Sequence, residues 1–180
     1  IKGSCRPLTS EKQTSENGFA LRPRRSALYM PGANARALEK ARSLDADCLL
    51  LDLEDAVAPD TKAEARVQIC EALREGGYGA RELVVRINAL DTAWGADDVA
   101  ALTDLPEAVR PHAILAPKIS TAEQIDVLVA RMPEDCALWI MVETPEAIFN
   151  IESLAAKAAD TPLAAFIMGT NDLAKEMRAA

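Results

Sequence analysis

The stretch Trp139-Ile140-Met141-Val142-Glu143-Thr144 decides the fold class, because an apolar run ends there in a carboxylate. The same arrangement recurs at 166–172, where Phe-Ile-Met is followed by Gly-Thr-Asn-Asp, and at 49–55, where Leu-Leu-Leu is followed by Asp-Leu-Glu-Asp. Buried strands that carry carboxylates at their C-terminal ends are how enzymes of repeated strand–helix units bind hard cations. The recurrence therefore predicts a metal-dependent enzyme.

Six short aliphatic or β-branched runs alternate with segments of helical spacing. The runs predict strands at 27–30, 48–53, 83–87, 113–116, 138–142 and 164–168. Between them, two segments repeat apolar residues at intervals of three or four, and each set is predicted to lie on one helix face. The sets are Ala63, Val67, Cys70 and Leu73 in the first segment, and Ile125, Leu128 and Val129 in the second.

Capping signals predict where these two helices begin and end. Asp60 or Thr61 begins the first helix and Ser120 or Thr121 the second, because their side-chain oxygens can accept from free N–H groups of the first turn. Gly76-Gly77 ends the first helix. A strand–helix period of roughly 28 residues predicts parallel strands joined by crossovers.

Two architectures accept six parallel strands, an open doubly wound sheet and a TIM-type (β/α)8 barrel. No Gly-rich nucleotide-binding loop follows any of the runs, which disfavours the open sheet. Polar residues follow several runs instead, and in a barrel they meet at one face. We predict an α/β fold of the TIM-barrel type with about six βα repeats, incomplete because eight repeats need on the order of 250 residues. Either C-terminal repeats are missing, or a partner covers the open edge of a natural partial barrel.

Composition divides the 180 residues into a polar arm and one domain. Residues 1–23 are polar and without periodicity, so we expect a flexible N-terminal arm, with the barrel domain at 24–180. The net charge of −8 argues against nucleic acid or a membrane surface as partner, since both would need a basic face. No apolar stretch approaches the length of a bilayer span, and the four cysteines lack metal-site spacing, so a cytoplasmic protein is expected.

An ordered set of short segments makes the sequence recognisable. The set comprises RSAL at 25–28, PG at 31–32, LDLEDAV at 51–57, Lys62 with Ala65-Arg66, VRIN at 85–88, PK at 117–118, ET at 143–144 and GTNDL at 169–173. It resembles the citrate lyase β-subunit-like family within the HpcH/HpaI aldolase group, which also holds malyl-CoA and citramalyl-CoA lyases. The resemblance extends from Arg24 to about Met177. It implies a Mg²⁺-dependent TIM barrel that cleaves or forms a C–C bond between a 2-oxo acid and an acyl-thioester enolate.

The resemblance assigns the metal to two carboxylates. Glu143 and Asp172 match the family's metal-binding positions, and Mg²⁺ commonly takes only one or two carboxylates. Two alternatives stay open, a solvated loop carboxylate for Glu143 and a helix N-cap for Asp172.

The catalytic candidates are Arg86, Glu54 and Asp55. Arg86 follows a strand, and its guanidinium can hold a substrate carboxylate with two parallel hydrogen bonds. The alternative is a structural ion pair with Asp52, Glu54 or Asp55. Glu54 and Asp55 match family positions near the metal and are expected to hold its waters. A purely structural acidic cluster would need cations nearby, which Lys62 and Arg66 are expected to supply.

The remaining assignments concern the substrate. Arg25 and Arg36 resemble positions that face the phosphates of the thioester carrier, and Gly169 and Thr170 also belong to the predicted substrate site. Lys118 is expected to steer anions or to pair with Glu143. In relatives, an acidic residue of a C-terminal segment, often from a neighbouring subunit, is expected to transfer the proton, and the resemblance implies a homo-oligomer, a trimer.

The predicted function is a Mg²⁺-dependent lyase that cleaves a citryl-, malyl- or citramalyl-type thioester of CoA or an acyl carrier into a 2-oxo acid, such as oxaloacetate, and an acyl thioester. One alternative is a malyl-thioester hydrolase or a metal-dependent (class II) hydroxy-oxo-acid aldolase on the same scaffold. Another is a non-catalytic partial barrel that binds a partner protein. His112, the only histidine, precedes a strand at the end opposite the predicted site, which excludes a metal–histidine centre there.

Overall fold

The computed structural model describes residues 22–179, so most of the predicted arm at 1–23, including Cys5, lies outside the described residues. Six strands form within this range, each within one residue of the predicted bounds. They are β1 (Ala27–Pro31), β2 (Cys48–Asp52), β3 (Glu82–Arg86), β4 (Ala113–Ala116), β5 (Ala137–Val142) and β6 (Leu163–Met168).

The strands form one parallel sheet in the order of the chain, β1 to β6, and helices lie between successive strands. The helices are α1 (Ala35–Ala41), α2 (Lys62–Glu75), α3 (Gly95–Thr103), α4 (Ala122–Val129), α5 (Pro145–Phe149), α6 (Ile151–Ala156) and α7 (Thr170–Glu176). Within the described range, β1 does not pair with β6, so the sheet is a TIM-type arrangement that does not close. The prediction of six repeats of an incomplete barrel is confirmed.

Alternation along the strands separates two apolar clusters, as expected for a sheet covered on both faces. One residue set packs under the helices, and the alternate set forms a smaller cluster on the concave side of the sheet. That inner set is Cys48, Leu50, Val84, Ala113, Leu115, Ala137, Trp139 and Met141. The next inward position at the C-terminal end of β2, β3 and β5 is therefore Asp52, Arg86 and Glu143, and Asp52 is the register partner of Arg86.

The predicted face of α2 is only half right. Cys70 and Leu73 are buried, but Val67 is 57% exposed, and the buried face continues instead through Ala65 and Ile69. The error has a simple cause: an apolar residue at helical spacing need not face the core when a second, better packed stripe lies beside it. The helix ends as predicted, with Gly76 at φ 66° as its C-cap.

The predicted start of α4 is confirmed. Thr121 is the N-cap, and the Gln124 side-chain oxygen accepts from the backbone N–H groups of Ser120 and Thr121. Ile125 and Leu128 are buried as expected, and Val129 packs against the core.

Ion pairs fasten the N-terminal end of the sheet. Arg24 donates to both carboxylate oxygens of the buried Glu82, at 2.7 and 2.8 Å, and its guanidinium lies 4.8 Å from the ring centre of Trp139. Arg25 pairs with Asp47 at 2.7 Å beside the first residues of β1 and β2. His112 also lies at this end, where its Nδ1 accepts from the backbone N–H of Leu83.

A buried carboxylate holds the loop between β3 and α3. Asp98 is fully buried and accepts from the backbone N–H and side-chain amide of Asn88, at 2.9 and 2.7 Å, and from Arg66 at 2.7 Å. A Cβ on Gly95 would lie 2.3 Å from the Ala89 carbonyl oxygen, so the loop requires glycine there. Arg66 thus pairs with Asp98 and, at 3.5 Å, with Asp97, rather than with the acidic cluster at 52–55 as predicted.

Of the helices that the structure describes, none has the length and apolar character needed to cross a membrane. Cys48, Cys70 and Cys136 are buried free thiols, as their apolar segments predicted.

Candidate active site

A cavity of about 440 Å³ opens at the C-terminal end of the sheet. It collects most of the residues that the sequence assigned to a site, because the carboxyl ends of parallel strands meet at one edge. Its lining comprises Tyr29, Asp52, Asp55, Ala56, Arg86, Met141, Glu143, Met168, Gly169, Thr170, Asn171 and Asp172.

Arg86 is the central cation of this cavity. Its Nε and Nη2 donate to the two oxygens of Asp52 at 2.7 and 2.6 Å, and its Nη1 lies 2.7 Å from Glu54 and 3.2 Å from Asp55. Tyr29 stacks its ring 4.8 Å from the guanidinium carbon. Burial would lower the pKa of Arg86, but the hydrogen bonds to Asp52 and the charges of Asp52 and Glu54 outweigh it, so the pKa is raised.

The ion pair kept open as an alternative for Arg86 is present. Asp52 accepts from Nε and Nη2, the pair of donors that would otherwise bind a substrate carboxylate. Asp55 is more weakly placed, because its side chain is 70% exposed and lies 3.2 Å from Nη1. The Nη1 side is the more open side of the guanidinium, because Asp55 there is exposed, although Glu54 also lies 2.7 Å from Nη1. The role of Arg86 in substrate binding stays a prediction.

Glu54 is half-buried, and one of its carboxylate oxygens is poorly satisfied. Its Oε2 lies 2.7 Å from Arg86 Nη1, yet within the described residues it has no hydrogen bond of acceptable geometry. Burial raises the pKa of Glu54 to about 7, with Arg86 opposing and the charges of Asp55, Glu143 and Asp52 adding to the rise. A carboxyl with a pKa near neutrality is suited to proton transfer, and Glu54 lies beside Asp55 and Arg86, which line the cavity.

Lys62 does not compensate the acidic cluster in the way the sequence suggested. Its ammonium donates to the backbone carbonyls of Leu53 and Glu54, both at 2.9 Å, and stacks 5.2 Å from the ring of Trp94. The lysine therefore fixes the backbone turn after β2 rather than neutralising its side chains. Arg86 provides that neutralisation instead.

Glu143 and Asp172 share one cation. The Lys118 ammonium contacts Asp172 Oδ2 and lies 3.6 Å from Glu143 Oε1, while the Lys118 backbone N–H donates to the same Glu143 oxygen at 2.8 Å. The side chain of Glu143 is 2% exposed, which excludes the solvated loop carboxylate considered for it. Burial raises the pKa of Glu143, and the hydrogen bond from Lys118 lowers the pKa of Asp172.

Lys118 has an uncommon backbone conformation at the end of β4. Its φ is 57°, in the left-handed region, where a non-glycine residue is held at a cost of about 1 kcal/mol or more. The conformation lets its N–H and its side chain converge on Glu143. Burial would lower the pKa of Lys118, but the bond to Asp172 and the charge of Glu143 raise it above its usual value.

Gly169 allows β6 to approach Glu143 closely. A Cβ at this position would lie 2.5 Å from Glu143 Cβ and 2.6 Å from its Oε2, while the Gly169 N–H donates to the Val142 carbonyl at 3.0 Å. The glycine that the sequence assigned to substrate binding thus touches the predicted metal ligand itself, and Thr170 lines the cavity beside it.

Asp172 lies inside α7 rather than at its N-cap. The helix begins at Thr170 with Gly169 as N-cap, so the N-cap role considered for Asp172 is excluded. The third helical position still aims a carboxylate back over the strand ends, because helical side chains lean toward the N-terminus.

Two carboxylates that one ammonium bridges fit a small divalent cation. The described residues contain no group of three or more His, Cys, Asp or Glu arranged around a common point. Mg²⁺ fits a smaller set, since it keeps several waters and binds through one or two carboxylates and substrate oxygens. Glu143 and Asp172 meet that requirement.

Arg25 was assigned to the substrate site, but the structure places it at the end of the sheet opposite the cavity. It lies at the N-terminal end of β1 in its pair with Asp47, whereas the cavity lies beyond the opposite ends of the strands. Arg36 is exposed in the first turn of α1, nearer to the cavity end. Sequence reasoning missed Tyr29, although its register partner Leu50 points inward, so the pairing of β1 with β2 could have identified it.

Comparisons with known proteins identify the family of the chain. The HpcH/HpaI aldolase/citrate lyase family model matches residues 25–180. A (3S)-malyl-CoA thioesterase of Cereibacter sphaeroides is 44% identical over 155 residues, which are 86% of this chain and 52% of the relative. An L-malyl-CoA/beta-methylmalyl-CoA lyase of the same species is 35% identical over 165 residues, covering 87% of this chain and 51% of the relative.

A solved structure of protein CitE from Mycobacterium tuberculosis, in complex with magnesium and acetate, superposes with a TM-score of 0.69 at 30% identity. The match covers 86% of this chain and 58% of that one, and the chain spans about half the length of the curated relatives it matches. On the family match and these relatives, the chain belongs to the HpcH/HpaI aldolase/citrate lyase family of enzymes.

Proposed function

We propose that the protein acts on a malyl-type CoA thioester with the help of a Mg²⁺ ion held by Glu143 and Asp172. The observation that carries the proposal is the single ammonium shared by these two carboxylates, at the wall of a cavity that also holds Arg86. A site that gathers one positive charge between two carboxylates is suited to a hard cation. The magnesium in the CitE structure supports the choice of metal.

Bound there, the metal would supply Lewis-acid polarisation of a substrate oxygen. The residues of the chain would bind the substrate and transfer the proton. Arg86 binds the carboxylate of the hydroxy-acid end on its Nη1 side, displacing Asp55 toward solvent. Glu54, with a pKa of about 7, gives or takes the proton, and Tyr29 covers the guanidinium.

The first candidate reaction is thioester hydrolysis. Water adds across the bond between the thioester carbonyl carbon and sulfur, so malyl-CoA yields malate and the free thiol of CoA. The relatives that are 44% identical and named as (3S)-malyl-CoA thioesterases favour this reaction. It is one of the alternatives that the sequence left open.

The second candidate is the carbon–carbon cleavage predicted from the sequence, favoured by the relatives that are 35% identical and named as malyl-CoA lyases. The bond between the hydroxyl-bearing carbon and the neighbouring CH₂ breaks, the hydroxyl loses its proton and the CH₂ gains one. Malyl-CoA then yields glyoxylate and acetyl-CoA. In both reactions the hydroxy-acid end of the substrate is bound in the same way. The reactions differ only in the bond that is broken.

A product assay tests the proposal and separates the two reactions. The protein is incubated with malyl-CoA and Mg²⁺ or EDTA, and free thiol and glyoxylate are measured in parallel. We expect Mg²⁺-dependent release of free thiol for hydrolysis, or of glyoxylate without free thiol for cleavage. Glu143→Gln should abolish either product, whereas Glu146→Gln, an exposed carboxylate three residues away, should not.

Neither product from folded protein would refute the proposal and favour the non-catalytic partial barrel. The homo-oligomer, specifically a trimer, and the cytoplasmic location expected from the resemblance stay predictions. Mass photometry of the purified protein tests the first of them.

A further inference from the structure

We infer that the ammonium of Lys118 is a tethered cation that holds the metal position in the metal-free protein and leaves it when a divalent ion binds. The inference rests on the metal site proposed above and concerns what regulates that site. Its basis is that Lys118 contacts Asp172 and approaches Glu143, the same two carboxylates that fit the metal.

The position of Lys118 is not that of an ordinary surface ion pair. Its side chain is only 33% exposed, and Glu143 beneath it is 2% exposed, so solvent cannot easily replace the ammonium. The left-handed φ of 57° turns the side chain toward the carboxylates while the backbone N–H already binds Glu143. Backbone strain at a site residue commonly marks such a functional constraint.

The ammonium and a metal ion cannot share this position. Both would lie within bonding distance of the same carboxylate oxygens, and two cations so close repel each other strongly in a half-buried site. The backbone hydrogen bond to Glu143 makes no such demand and can persist with the metal bound. Metal binding therefore requires movement of the side chain alone.

Space to receive the displaced side chain lies next to it. Lys118 forms part of the wall of a second cavity of about 350 Å³, between the loop after β3 and helix α4. That cavity presents the exposed carboxylates of Asp91 and Glu123, which can attract the ammonium and outnumber the one other cation of its lining, Arg131. Lys118 thus lines the second cavity, while its ammonium contacts Asp172, which lines the first.

The consequence is a metal affinity lower than the two carboxylates alone would give. If the bridged conformer holds 90–99% of the metal-free protein, the apparent dissociation constant rises by about 10- to 100-fold. The same competition keeps one positive charge between the two carboxylates before the metal arrives.

Calorimetric titration with Mg²⁺ tests the inference on wild type, Lys118→Met and Lys175→Met. Methionine keeps the length of the stem and removes the charge. Lys175 is the matched control, since it lies one helical turn from Asp172 on α7 and acts on it through charge alone. We expect the Lys118 variant to bind Mg²⁺ at least 10-fold more tightly than wild type, and the Lys175 variant to differ by less than about twofold.

Amine labelling supplies a readout that does not depend on affinity. Acetylation of Lys118, followed by mass spectrometry, should become several-fold faster when Mg²⁺ is added to wild type, while labelling of Lys175 stays constant. Equal Mg²⁺ affinity in wild type and Lys118→Met, or labelling of Lys118 that Mg²⁺ does not alter, overturns the inference while the metal site stands. Absence of Mg²⁺ binding in all three proteins overturns the proposed metal site as well.

Discussion

The substitution Gly169→Ala tests whether close packing at the end of β6 fixes the position of Glu143. The φ of Gly169 is −88°, a value that alanine adopts readily, so the effect of the change is steric rather than conformational. The added Cβ would lie 2.5 Å from Glu143 Cβ and 2.6 Å from its Oε2, and 3.2 Å from the end of Met141. Contacts of this kind need well over 3 Å, so Glu143 must move by roughly 1 Å.

That displacement has two consequences, one for the stability of the fold and one for metal binding. Overpacking against a side chain that is 2% exposed costs about 1–3 kcal/mol of unfolding free energy. The hydrogen bond from the Lys118 N–H to Glu143, 2.8 Å in the wild type, is lengthened or lost. Because loss of a group that orients a metal ligand typically costs 10- to 100-fold in metal affinity, we expect Gly169→Ala to weaken Mg²⁺ binding by about that factor.

Calorimetric titration with Mg²⁺ measures the affinity, and urea unfolding measures the stability of the same samples. Gly76→Ala is the control, since its φ of 66° makes alanine cost about 1–2 kcal/mol while a Cβ there meets no atom within 4 Å and lies far along α2 from the cavity. Both variants should lose stability, and only Gly169→Ala should lose metal affinity. Metal affinity within twofold of wild type in Gly169→Ala would refute the reasoning.

Three further outcomes are expected. Arg86→Lys should lower kcat/KM for malyl-CoA by about 100-fold, because a lysine cannot reproduce the guanidinium fork, and a loss under threefold in steady-state assays would contradict this. Asp98→Ala should lower the unfolding free energy by about 3–5 kcal/mol by leaving its buried donors without an acceptor, seen as a fall in melting temperature of roughly 10 °C. Asp97→Ala, at an exposed pair of 3.5 Å, should cost under about 1 kcal/mol, and equal losses in the two would exclude the buried network as the cause. Glu54 has a folded pKa of about 7 against an ordinary 4.5, so the folded state binds the extra proton between these values and stability falls as pH rises from about 4.5 to 7. The effect should be about 1–2 kcal/mol after allowance for solvent screening, measured by urea unfolding, and Glu54→Gln should unfold with a flatter pH dependence.

The sequence predicted the strands well because buried parallel strands read as continuous apolar runs of limited length. Each predicted strand lies within one residue of the observed one, as at β4, where 113–116 is matched in full. The buried faces of the helices were harder to predict from the sequence. Val67 satisfied the spacing of an apolar stripe and is exposed, because spacing alone does not show which of two adjacent stripes the sheet covers.

The candidate site was predicted as a set of strand-end residues, and the strand ends do bring Arg86, Glu143 and Asp172 together. The pairing of Lys118 with Glu143 was predicted and is present, and for Arg86 the three acidic partners were named without the geometry of each pair. The choice of Asp52 as the bidentate partner of Arg86 depends on the β2–β3 register, and Arg25 matched a motif although it belongs to the other end of its strand. A motif shows which residues occur together in the sequence. Only their position along the strand shows whether they lie at its N-terminal or its C-terminal end.

The two ends of the sheet treat buried charge differently. At the N-terminal end the buried Glu82 accepts two hydrogen bonds from Arg24, so the charge is paired and satisfied. At the C-terminal end four carboxylates that are buried or half-buried, those of residues 52, 54, 143 and 172, share the two cations Arg86 and Lys118.

Two negative charges at the C-terminal end therefore lack a counterpart, and this is where the Glu54 and Glu143 pKa values are raised and where Lys118 has its left-handed backbone. An uncompensated charge of this kind costs folding free energy. A divalent cation that displaces the Lys118 ammonium adds one net positive charge and reduces this imbalance, so the imbalance that destabilises the metal-free fold favours binding of the ion.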